Sequence, residues 1–288
     1  MRWFDYFAPR SLDEAIELLA KHAERARPLA GGTDLLVQMR TGRRTADVLV
    51  DVKKIPEANK IDWESERGLT LGAAVPCCRI AEDADVRAHY PGLIDVAEMI
   101  GGTPIQGRAT LGGNLCNAAP SADAAPILIA YGAVCRIAGP NGERSVPVEE
   151  FATAPGLTVL EPNEFLVSLR LPPPSPGSGA RYLRFIPRNE MDIAVAGAGV
   201  SVRLSNGGFE SARIALASVA PTPLFVREAG EALAGAPVSD ESIGRAAALA
   251  KEAARPIDDM RGSIDYRKHL CEVLTRRALH DAVKRARG

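Results

Sequence analysis

The sequence predicts a chain of mixed helix and strand, built as about two domains joined by a proline-rich linker. Three observations carry this reading. The chain has 288 residues, against roughly 100–200 for a single domain. Helix-type and strand-type apolar patterns alternate in its N-terminal part, as in an α/β unit. Pro172-Pro173-Pro174-Ser175-Pro176-Gly177-Ser178-Gly179 then interrupts both patterns, because prolines cannot continue a sheet ladder and the composition is that of a linker.

Each element follows from a local cause. Ser11-Leu12-Asp13-Glu14 reads as a capping box, in which Ser11 accepts from an orphan helix N–H and Glu14 reaches back. Leu12, Ala15, Ile16, Leu18 and Leu19 continue it at helical spacing, and the helix is expected to end near 22–27. A short strand over 28–30 runs into Gly31-Gly32, and a second helix begins near Asp34. Apolar runs at 48–52, 69–75, 133–138 and 165–171 have strand length. Pro91 sits where a helix can start, with Leu93, Ile94, Ala97 and Ile100 following. The stretch 101–113, rich in Gly, Thr and Pro, reads as a long loop. After the linker, 181–186, 193–204 and 212–219 read as three strands, with Ser205-Asn206-Gly207-Gly208 turning between the last two. Helices are expected over 227–234, 240–254 and 264–285.

Composition removes several classes of function. Lys+Arg 35 against Asp+Glu 36 leaves a net charge of -1, without the basic excess of a nucleic-acid binder. No stretch approaches the roughly 18 apolar residues of a membrane span, and the N-terminus has no apolar signal core. Cys77, Cys78, Cys116, Cys135 and Cys271 are odd in number and form no CxxC. This argues against a disulfide framework and against a zinc or iron–sulfur site on this chain, and it suits the reducing cytoplasm. The four histidines are scattered. The N-terminal aromatics Trp3, Phe4, Tyr6 and Phe7 and the basic C-terminal helix read either as partner contacts or as core packing and a solvated helix end.

Two glycine segments could carry chemistry. Leu29-Ala30-Gly31-Gly32-Thr33-Asp34-Leu35-Leu36 lies between a strand and a helix. Glycine there allows positive φ and close approach of a phosphate, with helix-start amides and the Thr33 hydroxyl as donors. Asp34 would repel a diphosphate and must turn aside. Arg108-Ala109-Thr110-Leu111-Gly112-Gly113-Asn114 offers amide, hydroxyl and carboxamide donors within one turn. Asp123, at the start of an apolar stretch, reads either as an acceptor for ribose hydroxyls or as a helix cap. A Walker A motif is absent. Gly197-Ala198-Gly199 lacks the third glycine of a Rossmann fingerprint and continues as a strand.

Together, Ala30-Gly31-Gly32-Thr33-Asp34-Leu35 and Ala109-Thr110-Leu111-Gly112-Gly113-Asn114-Leu115 resemble the FAD-binding medium subunit of molybdenum hydroxylases, the xanthine dehydrogenase and aerobic carbon monoxide dehydrogenase type. The resemblance spans almost the whole chain. It includes Pro120-Ser121-Ala122-Asp123, Glu164-Phe165-Leu166, 188–193, Ala220-Pro221-Thr222-Pro223 and Asp265-Tyr266-Arg267. It implies an α+β, vanillyl-alcohol oxidase/MurB-type fold, with two FAD-binding subdomains at 1–54 and 55–172, a linker at 173–180 and a C-terminal domain at 181–288 with a three-stranded antiparallel sheet and helices. It implies noncovalent FAD held by Leu29, Ala30, Gly31, Gly32, Thr33, Asp34, Leu35, Leu36, Thr110, Gly112, Gly113, Asn114 and Asp123. Leu166 would lie beside the adenosine, Arg184 near the flavin, and Asp192 and Ile193 next to the isoalloxazine. No side chain of this chain would act as acid or base.

The same resemblance implies electron transfer in a heteromeric complex. A large subunit would carry molybdenum–pterin, a small subunit two-iron iron–sulfur clusters, and the assembly would be a dimer of heterotrimers in the cytoplasm. FAD would pass electrons to an external acceptor. Two departures stand out. Relatives often carry Ile-Arg-Asn where this chain has Ile105-Gln106-Gly107, so that an arginine contact is lost or taken over by Arg108; and an aromatic of some relatives is Ile100 here. The cysteine-bearing insert of the 4-hydroxybenzoyl-CoA reductase flavin subunits is absent. The alternatives are a free-standing noncovalent flavin oxidoreductase of the same fold and a flavin-free scaffold. Covalent attachment through a histidine is disfavoured, because His22 lies on the helix before the first glycine loop.

Overall fold

The computed structural model describes residues 2–288. The first lobe begins with strand β1 (Asp5–Phe7), then helix α1 (Leu12–His22), β2 (Ala26–Leu29), α2 (Leu35–Arg40) and β3 (Val48–Asp51). Its three strands form a parallel sheet in the order β1-β3-β2. Ser11 caps α1 by accepting from the Glu14 N–H, but Glu14 returns its carboxylate to the Arg10 N–H, one residue before the cap. Strand β1 went unpredicted because all three of its residues are exposed, so it has no apolar alternation to read.

The second lobe runs through β4 (Ile61–Glu64), β5 (Gly68–Gly72), α3 (Cys77–Glu82), α4 (Ala84–His89), α5 (Pro91–Met99), α6 (Thr103–Gln106), α7 (Leu111–Asn117) and α8 (Ala124–Ala130). It continues with β6 (Val134–Gly139), β7 (Gly142–Pro147), α9 (Val148–Phe151), β8 (Ala152–Ala154), β9 (Leu157–Thr158) and β10 (Phe165–Leu171). The main sheet is antiparallel, ordered β4-β5-β10-β6-β7, with β8 and β9 as a separate pair. The predicted long loop at 101–113 instead contains α6 and the start of α7. Gly102 and Thr110 are their N-caps; Gly and Pro at helix starts had read as breakers.

The C-terminal part holds β11 (Ser178–Phe185), β12 (Ala196–Ser205), β13 (Gly208–Ala217) and β14 (Leu224–Phe225), followed by α10 (Arg227–Glu231), α11 (Asp240–Ala253) and α12 (Ile264–Arg287). The antiparallel sheet therefore has four strands, the fourth being only two residues long. Strand β11 starts at Ser178, inside the expected linker, and β12 starts at Ala196, so the expected strand at 193 begins later.

Helix α8 joins the two halves. All seven of its residues are buried, between the second lobe and the C-terminal sheet. Gly199 on β12 makes this possible: a Cβ there would stand 2.5 Å from the Pro126 carbonyl carbon. Asp95 on α5 locks the junction. It accepts from Arg181 Nη1 at 2.7 Å, from both terminal nitrogens of Arg285 at 2.8 Å, and from the Tyr182 N–H at 3.1 Å. The end of the basic C-terminal helix is thus partly an interdomain clamp.

Candidate functional site

The first glycine motif sits where β2 gives way to α2. Gly32 adopts φ +76°, a left-handed conformation that favours glycine. Gly31 is needed for contact: a Cβ there would lie 1.9 Å from the Arg108 carbonyl oxygen. The two motifs, distant in sequence, therefore touch backbone to backbone.

The second motif is a helix start. Thr110 caps α7, its Oγ accepting from the Gly113 N–H at 2.8 Å. Gly112 lets the helix lie against the chain after β5, since a Cβ would come within 2.5 Å of the Ala73 carbonyl oxygen. Asn114 Oδ1 accepts from the Ala124 N–H at 3.0 Å, tying α7 to α8. The Thr110 hydroxyl proton and the Asn114 amide N–H groups are left to donate outward.

These segments face a cleft of about 480 Å³ whose opposite wall is the stretch 156–166. Leu29, Ala30, Gly31, Gly32, Thr33, Asp34 and Leu35 line it, as do Thr110, Gly112, Gly113, Asn114 and Leu166. Leu36 lies behind the turn, packing against Gly32 and the small cluster around Leu49. Gln38 donates to Asn117 Oδ1 at 2.8 Å, bridging the first lobe to α7 beside the cleft. Asp34 is exposed at the cleft, and the surrounding protein desolvates its carboxyl and raises its pKa.

Asp123, Arg184, Asp192 and Ile193 are not in the cleft wall. Asp123 is buried and accepts from the Tyr182 hydroxyl and Arg184 Nη1, both at 2.6 Å. Arg184 Nη2 donates to the Met99 carbonyl at 2.8 Å, directly before Ile100, which does line the cleft. This buried trio therefore lies behind the chain that carries Ile100. Burial pushes the Tyr182 phenol well above its usual pKa, so it remains a hydrogen-bond donor. Asp192 accepts from the Ile193 N–H at 2.7 Å in the irregular connection between β11 and β12. That connection packs over Gly102, whose Cβ position is 3.1 Å from Glu190 Oε2 and 3.4 Å from Met191 Cγ.

Of the 156–166 wall, the sequence pointed only to Leu166 among the cleft residues; the rest carries no glycine motif. Arg44 holds it by donating to the Gly156 carbonyl at 3.2 Å. Asn163 sits there at φ +70° with Oδ1 buried and unpartnered. Pro162-Asn163 was the available signal, as Pro followed by Asn suits the middle of a tight turn.

The residues present fit a dinucleotide. The amides of Gly31, Gly32, Thr33 and Asp34 donate to no other backbone group among the described residues. They line the same cleft as Ile100, Leu166 and Asn163, whose side-chain Oδ1 is buried and unpartnered. Backbone N–H groups at a helix start suit a diphosphate, with a base on either side.

Such a cleft, between an α/β lobe and an antiparallel lobe, is that of a dinucleotide-binding chain. Comparison with known proteins carries this to a family. Residues 2–174 match the FAD binding domain in molybdopterin dehydrogenase, and 181–282 match the CO dehydrogenase flavoprotein C-terminal domain. The chain is 34% identical to the xanthine dehydrogenase FAD-binding subunit of Escherichia coli O157:H7, covering 98% of this chain and 97% of that one. It is also 34% identical to the carbon monoxide dehydrogenase medium chain of Afipia carboxidovorans, covering 99% and 98%. Among solved structures, a chain of the Cu,Mo-CO dehydrogenase superposes with a TM-score of 0.94 at 33% identity, covering 99% of both chains. The chain belongs to the FAD-binding medium-subunit family of molybdenum hydroxylases.

Proposed function

We propose that this chain is the FAD-carrying electron-transfer subunit of a cytoplasmic molybdenum hydroxylase. It would work with a large molybdenum–pterin subunit and a small subunit holding two-iron clusters, as a dimer of heterotrimers. The observation that carries the reading is the backbone contact of Gly31 with Arg108, which turns two separate motifs into one diphosphate cradle.

FAD, when bound, supplies a carrier able to take up and release electrons singly or in pairs. The chain's own residues bind and orient it. The Gly31–Asp34 amides and the Thr110 and Asn114 donors would hold the diphosphate, and Leu166 and Asn163 would flank the adenosine. Asp123 and Arg184, held by Tyr182, would support the flavin end from behind Ile100, with Asp192 and Ile193 above it. The 186–195 connection would cover the flavin and limit access of water.

The test is purification of the native complex. FAD released into the supernatant by acid, together with co-eluting large and small subunits, supports the proposal. A yellow acid pellet means covalent flavin and overturns the noncovalent assignment. A flavin-bearing chain that elutes alone and turns over a substrate favours the free-standing oxidoreductase instead.

A further inference from the structure

We propose that Lys53 and Arg108 are positioning residues for the diphosphate cradle, acting from behind it. The inference rests on the assignment of the cleft to FAD and assigns a role to two cations that do not touch the cleft. Lys53 Nζ donates to the Ala30 carbonyl at 2.8 Å and to Asp51 Oδ1 at 2.8 Å. Arg108 Nε makes a longer bond, 3.4 Å, to the Gly31 carbonyl. Neither side chain is among the residues lining the cleft, whereas Ala30, Gly31 and Gly32 are.

Peptide geometry turns these two bonds into an orientation. In a trans peptide the C=O and the following N–H point in opposite directions. Holding the Ala30 carbonyl toward Lys53 aims the Gly31 N–H the other way. Holding the Gly31 carbonyl toward Arg108 does the same for the Gly32 N–H. Both amides lack a backbone acceptor, as expected of donors kept for a ligand. The glycines cannot hold such an orientation by themselves, because they have the widest choice of φ and ψ. The cations also place positive charge one peptide behind an anion site.

Lys53 is itself fixed. Asp51, nine-tenths or more buried, accepts from the Lys53 N–H at 3.0 Å, from its ammonium, and from the Tyr6 hydroxyl at 2.5 Å. This ties the cradle to β3 and the edge strand β1. The rival account is that Lys53 merely neutralises a buried Asp51.

The test uses the full-length chain stripped of flavin. FAD affinity is measured by fluorescence quenching at low and high salt for wild type, Lys53→Met, Lys53→Arg, Arg108→Gln and the double variant Asp51→Asn/Lys53→Met. Lys53→Met is expected to weaken FAD about tenfold at low salt and less at high salt, as for loss of a charge-assisted bond and its field. Lys53→Arg should recover most of the loss, and the double variant should stay weak. Arg108 is exposed, so Arg108→Gln keeps the fold and should weaken FAD several-fold; it carries the test if Lys53→Met does not fold. Wild-type affinity in the double variant overturns the positioning role in favour of neutralisation. Unchanged affinity in Arg108→Gln, or a loss independent of salt, also overturns it. A wild-type chain that binds no FAD overturns the cleft assignment as well.

Discussion

At the scale of single residues, the cradle depends on atoms that are missing. Gly31→Ala would drive a methyl group onto the Arg108 carbonyl oxygen, so the two motifs must separate. The expected outcome is a folded protein without flavin: unchanged far-ultraviolet circular dichroism and no flavin band in the visible spectrum. Gly113→Asp should also release FAD, by bringing a carboxylate against the diphosphate and its Cβ within 2.9 Å of Thr110 Oγ. Retention of stoichiometric FAD in that variant would count against the cradle. Tyr182→Phe removes the donor to buried Asp123. A loss of about 1.5–3 kcal/mol, as for a bond to a charged group, should appear in urea denaturation. Gly31 and Gly112 answer carbonyls remote in the chain, whereas Gly32 was legible as sequence because its φ of +76° is a local backbone demand. The partnership of Asp123 with Tyr182 was not, since it joins residues 59 apart.

At the scale of elements, the second glycine motif shows what a pattern can hide. Thr110-Leu111-Gly112-Gly113 reads as a turn by composition, yet it is the capped first turn of α7. Tertiary contact overrides the weak helix propensity of glycine, because only a residue without a side chain lets α7 reach Ala73. Strand β3 supplies a pH prediction. Burial by itself would raise the Asp51 pKa, but the bonds from Lys53 and Tyr6 outweigh it and hold it below the usual value. A depressed carboxyl stabilises the fold above its unfolded pKa, and this contribution fades as pH falls through the folded value. The wild-type chain should therefore lose stability below about pH 4, and Asp51→Asn should be less stable at pH 7 with a shallower acid limb. Equal acid limbs in thermal melts from pH 7 to 3 would refute this.

At the scale of the whole molecule, carboxylates of the second lobe bolt the C-terminal part to it: Asp95 holds Arg181 and Arg285, Asp123 holds Arg184, and Glu149 holds Arg213. The Asp95 side chain is 8% exposed and meets two arginines of the C-terminal part. Asp95→Ala removes the carboxylate that both guanidinium groups share and leaves Arg181 only Asp281, 3.4 Å from its Nε, at a cost of about 3 kcal/mol. Urea unfolding should then shift to a lower midpoint or split into two steps, and an unchanged transition would disprove the clamp. The family pattern and the capped helices could be read from the chain itself, because caps, φ preferences and apolar periods act between near neighbours. Folding in three dimensions settled the rest: the meeting of Gly31 with Arg108, the wall at 156–166, the cations behind the cradle and the Asp95 clamp. Each depends on groups that are remote in the chain and brought together only when the sheets and α8 pack, and no local period encodes such a distance.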